Sequence, residues 1–136
     1  MQWLAPIFDR TQQDVEYARL NRNDSAHHKG AFSYEDMNRI TGNMKYLASY
    51  AHVVVSSSDA WAPLEKPNVS NIQTLLSDLQ TLRNATLGEG RAIPPRPIYQ
   101  YEKINQIERL LYDIRSRLMG GTMRTLNTFE LGGDLI

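Results

Sequence analysis

The sequence contains no cysteine. Disulfides, thiolate metal sites and a cysteine nucleophile are thereby excluded. The absence suits folding in a reducing cytosol. Net charge is missing too, because fifteen Lys and Arg balance fifteen Asp and Glu. No global field draws such a chain to nucleic acid or to an anionic membrane, and neither partner is expected. No apolar run approaches the ~18 residues of a membrane span. The opening MQWLAPIFDR lacks the basic start and apolar run of a secretory signal. What remains is a chain of 136 residues, 41% of them apolar, which fits one domain with a real core.

Helical periodicity dominates what is present. Thr11 with Asp14 resembles a capping box, opening a short first helix with a thin face of Val15, Ala18 and Leu20. NRNDSAHH, residues 21–28, reads as a loop. Ser33 with Asp36 caps a second helix, and Phe32 stands at staple spacing from Met37. Its seam runs through Met37, Ile40, Met44, Leu47 and Ala51 towards Val54, with Gly42 as the sign of a close helix crossing. HVVVSSSDA ends it. Asn68 or Ser70 caps a third helix striped by Ile72, Leu75, Leu79 and Leu82. Gly88, Gly90 and three prolines then break the chain. The fourth helix carries Ile104, Ile107, Leu111, Ile114 and Leu118, with Gly120 and Gly121 as its stop. Residues 125–131 read as one strand or an extended arm.

The expected architecture is therefore all-α: a small bundle of three main helices and a short N-terminal helix. The expected boundaries are an extended N-terminal arm at 1–10, a bundle at 11–119 and a C-terminal arm or single strand at 120–136. The stripes fit a core first and a subunit seam second.

Motifs for chemistry are absent. His27 and His28 are chain neighbours with no third ligand at metal spacing, and His52 stands alone. There is no Gly-x-Ser-x-Gly. Gly88 and Gly90 follow a helix, whereas a phosphate loop precedes one. Glu35 and Asp36 suit a first helical turn, where acids complement the dipole. Arg109, Arg115 and Arg117 alternate with Glu102, Glu108 and Asp113, which reads as a solvated face or an interfacial ion-pair set. No catalytic residue, cofactor or metal is expected. Aromatics outside the helices are the candidates for partner contacts, because aromatics dominate interface hot spots. The expected interface residues are Trp3, Phe8, Trp61 and Tyr99, with Thr125, Leu126, Phe129 and Leu131 of the terminal segment.

Three stretches carry a resemblance. PIFDRTQQDVEYA (Pro6 to Ala18), KGAFSYEDMNRITGNMKYLA (Lys29 to Ala48) and YEKINQIERLLYDI (Tyr101 to Ile114) resemble small tail, baseplate or tail-fibre proteins of tailed bacteriophages of low-GC Gram-positive bacteria. The matching positions include Asp9, Arg10, Thr11, Gln12, Asp14 and Val15; Lys29, Gly30, Asp36, Asn38, Arg39, Ile40, Asn43, Tyr46 and Leu47; and Tyr101, Ile104, Asn105, Ile107, Glu108, Leu111 and Asp113. Thr41 and Gly42 stand where relatives often carry Glu, and the chain stops at NTFELGGDLI where relatives often run into a Tyr/Phe-Ser-Gly strand or a longer fibre. The resemblance implies a connecting or decorating subunit of the virion, assembled in the host cytoplasm. It would act as a trimer or hexamer with other tail or baseplate proteins. The alternative is a non-viral helical adaptor that holds a partner helix or peptide.

Overall fold

A computed structural model describes residues 2–23 and 28–130, with the backbone alone described for 121–130. Four helices follow in order: α1 (Gln12–Leu20), α2 (Tyr34–Ala51), α3 (Val69–Thr86) and α4 (Tyr101–Glu130). No strand occurs among the described residues.

The starts obey local chemistry. Thr11, Ser33 and Asn68 each cap with a reciprocal box, closed by Asp14, Asp36 and Asn71. In each box the cap side chain accepts a first-turn N–H while the third residue accepts from the cap's own N–H, so orphan donors are satisfied at once. The stops are equally local. His52 takes the left-handed conformation at the end of α2, and Gly88 takes a positive φ of 83° just past α3, where a side chain would be strained.

Helices α2, α3 and α4 pack on one another around a core of Ile40, Met44, Leu47, Leu75, Leu79 and Ile107 and their neighbours. Each such side chain, fully buried, contributes about 1.5–3 kcal/mol. The stripes expected from the sequence are thus the core. Ile98 adds to it from the proline-containing connector. No apolar side chain of α1 belongs to the central cluster of α2, α3 and α4; Ala18 is the residue of the helix that is buried.

Four expectations are corrected. Val54 lies beyond the end of α2 and is 89% exposed, because the helix stops at Ala51 before the seam can reach it. Leu20 is exposed rather than facing the bundle. Gly42 marks no close crossing, since a Cβ there would meet nothing within 4 Å. Finally, α4 runs through Gly120 and Gly121 to Glu130. Glycine inside a helix costs about 1 kcal/mol but keeps its backbone hydrogen bonds, so the pair weakens the helix without ending it. The extended arm or strand expected over 120–130 is helical backbone instead. The side chains of Thr125, Leu126 and Phe129, and residue Leu131, lie outside the described residues.

Candidate functional site

Residues 2–10 form no regular element. They lie as a strap across α2 and α4, and two helix-borne amides hold the ends. Asn43 accepts from the Leu4 N–H at 2.9 Å and donates to the Leu4 carbonyl at 2.8 Å. Asn105 does the same for Arg10, at 3.2 and 3.0 Å. A carboxamide facing a peptide this way supplies both halves of a backbone-like pair. Midway, the Ile7 N–H donates to Glu108 Oε1 at 3.0 Å, and the Ile7 carbonyl accepts from Arg10 Nη1 at 2.7 Å. Main-chain groups are therefore gripped at every third residue, the repeat of a polyproline-type path. Pro6, which has no N–H to satisfy, sits between two grips. A third amide, Asn38, clamps the connector after α2 by pairing with the N–H and carbonyl of Trp61 at 2.7 and 3.0 Å.

Under the strap lies a closed charge cluster. Arg10 Nη2 donates to Asp36 Oδ1 at 3.2 Å and to Glu108 Oε2 at 2.9 Å. Arg39 Nη2 reaches the same two oxygens at 2.6 and 2.7 Å, and Arg39 Nε reaches Glu108 Oε1 at 2.8 Å. The remaining oxygen of Asp36 accepts from the N–H and hydroxyl of Ser33, completing the α2 cap. Arg10 Nε donates to the Lys29 carbonyl at 2.9 Å. Two cations face two anions, and both carboxylates have no exposed side-chain surface. Burial works against the Arg39 cation, but hydrogen bonds and charge from Glu108, then Asp36, outweigh it, so its pKa is raised.

The face of α4 read as solvated thus divides. Glu108 belongs to the interior, while Asp113 pairs with Arg91 and Arg109 at the surface. Asp36 likewise does more than complement a helix dipole. The signal for Glu108 was present in the sequence: it stands four residues after Ile104 and next to Ile107, on the apolar face itself. Asp78 was missed in the same way. It is buried beside Leu79, and one of its oxygens collects the N–H groups of Ser56 and Ser57 and the Ser57 hydroxyl. That cluster ties the segment after α2 onto α3.

Of the expected interface aromatics, the strap pair turns inward. The Trp3 ring lies 5.9 Å from that of Tyr46, with the Arg115 guanidinium over it at 5.0 Å. Phe8 lies 5.4 Å from Tyr112, with Arg109 over it at 5.3 Å. Trp61 and Tyr99 are brought together. They line an open groove of about 530 Å³ with Phe32, Met37, Pro63 and Leu64. Phe32 and Tyr99 stack at 5.3 Å, and Leu64 is 94% exposed at the rim. Partial burial raises the Tyr99 pKa.

Among the described residues no His, Cys, Asp or Glu cluster could hold a metal, and no helix is long and apolar enough to cross a membrane. His28 packs edge-on against Tyr17 at 5.3 Å, and His52 is a helix cap. The fold and site define, among the described residues, an all-helical bundle closed by a strap, with an aromatic groove open on its surface. Comparison with known proteins returns no match: no family model fits the chain, and no curated protein or solved structure matches it.

Proposed function

We propose that the chain is a structural subunit of a phage tail or baseplate. In this reading it joins neighbouring virion proteins, including further copies of itself in a trimer or hexamer, through the groove formed by Trp61 and Tyr99. The carrying observation is how the side chains are divided. The converging ionisable groups, buried Arg10, Asp36 and Glu108 and partly buried Arg39, are turned onto one another, which suits a role in rigidity. Apolar side chains instead line an open groove elsewhere on the surface, where Tyr99 is half-exposed and Leu64 stands out into solvent. Aromatic and aliphatic anchors in such a groove are the usual source of interface energy. The sequence resemblance supplies the setting, a weaker warrant than the geometry.

The test is incorporation into particles. Leu64→Asp and Trp61→Ala chains are to be compared with the unaltered chain for recovery in purified tails. Leu64→Asp leaves the helical circular dichroism unchanged and is expected to abolish recovery. Full incorporation of both variants removes the groove from the interface. Capture of a non-virion helical partner by the groove would favour the adaptor reading instead.

A further inference from the structure

We propose that the cleft between α2 and α4 is an exchange site, in which residues 2–10 of a second copy replace the chain's own strap. The inference is independent of the groove at Trp61 and of the virion assignment. It starts from the way the cleft recognises its occupant. Asn43, Glu108 and Asn105 read main-chain groups at Leu4, Ile7 and Arg10, a pattern that seats any extended segment in register. One side-chain requirement is then absolute. A guanidinium must enter between Asp36 and Glu108, because a cleft without it leaves two buried carboxylates facing Arg39 alone. Any occupant must therefore present an arginine three residues after a gripped peptide. The same segment of another copy does so by identity.

The covalent attachment of the strap permits the exchange. The strap continues into α1 through Thr11 alone, and no apolar side chain of α1 belongs to the central cluster of α2, α3 and α4. Residues 2–20 can therefore leave one bundle as a unit and dock on another, remaking every contact given above. Exchange of an identical element conserves contacts, so it is governed by concentration. An attached strap acts as a ligand at an effective concentration on the order of mM. Copies held side by side in a closed assembly meet that condition.

The absence of cysteine makes the test clean. One chain carries Phe8→Cys and a second, with a distinguishable mass tag, carries Tyr112→Cys. The two positions face each other across the strap at 5.4 Å between rings. The chains are mixed, refolded together from urea and treated with a bismaleimide. A chain carrying both cysteines, which cross-links within itself, checks that the seat has formed. Exchange yields a mixed product of both tags whose share rises steeply with protein concentration between about 10 µM and 1 mM. Adding Arg10→Ala to the Phe8→Cys chain abolishes it. Trp3→Cys with Tyr46→Cys repeats the experiment at the other end of the strap. The proposal is overturned if neither pair gives a mixed product at ~1 mM, or if the product survives Arg10→Ala, which would mark it as collisional.

Discussion

Arg10 donates to Glu108 across 2.9 Å and 98 positions of chain, with 3% and 0% of the two side chains exposed. That contact links the strap to the bundle, and its partners are balanced in charge. Removing one charge alone should therefore be far worse than removing a matched pair. Glu108→Gln is expected to lower the unfolding free energy by about 3–5 kcal/mol, because Arg10 and Arg39 then share only Asp36. Arg10→Met together with Glu108→Gln should cost less than the sum of the two single changes. Urea unfolding of the four chains closes the cycle, and strict additivity would refute the coupling.

The amide clamps make a finer claim. Asn105→Ala strands the N–H and carbonyl of Arg10 and should cost about 1–3 kcal/mol. Asn43→Ala should loosen the Leu4 end and leave Arg10 protected. Hydrogen exchange at the Leu4, Ile7 and Arg10 amides distinguishes the two variants.

Two glycines give opposite expectations. At Gly30 a Cβ would sit 2.1 Å from the Asp14 carbonyl oxygen and 2.5 Å from the Val15 nitrogen. Backbone cannot yield as a flexible side chain does, so Gly30→Ala should detach α1 from residues 29–31 and lower the melting temperature. At Gly42 there is open space, so Gly42→Ala should stabilise by up to about 1 kcal/mol through helix propensity. Thermal melts of the two variants should move in opposite directions.

Strong acid should weaken the α1 cap. The Thr11 backbone N–H holds the Asp14 carboxyl below its usual range, helped by the Thr11 hydroxyl and Lys29. A depressed carboxylate contributes stability that is present above its ordinary pKa and is lost as pH falls through the lowered value. The amides of Thr11 and Asp14 should therefore lose protection below the normal carboxylate range, and Asp14→Asn should remove that pH dependence.

Legibility in the sequence followed the reach of each interaction. The caps at Thr11, Ser33 and Asn68 and the core stripes are set within a few residues, and periodicity revealed them. The glycine pair at 120–121 misled because a helix stop needs a left-handed residue as well as a glycine, and composition carries no dihedral. Apart from the i,i+3 pair of Asp36 and Arg39, the ion cluster joins residues 26 to 98 positions apart, so the local pattern can mark Glu108 on the apolar face but not its partners. The residues that carry the phage resemblance gain a physical reading in the fold. Asn38, Asn43 and Asn105 clamp backbone, Arg10, Asp36, Arg39 and Glu108 form the cluster, and Gly30 allows α1 to approach. Trp61 and Tyr99 could be named from the sequence, but their convergence depends on where two connectors return to α2.

Synthesis order gives the strap an unusual history. Arg10 is added 98 positions before Glu108, so its seat is unfinished until that residue has followed. At about 5–20 residues per second that delay lasts several seconds. During it Arg10 has no carboxylate pair to enter, and the nascent segment stays open to capture by whatever is nearby. Neighbouring nascent chains on one messenger would be the commonest company, so any intertwining of copies would begin at translation.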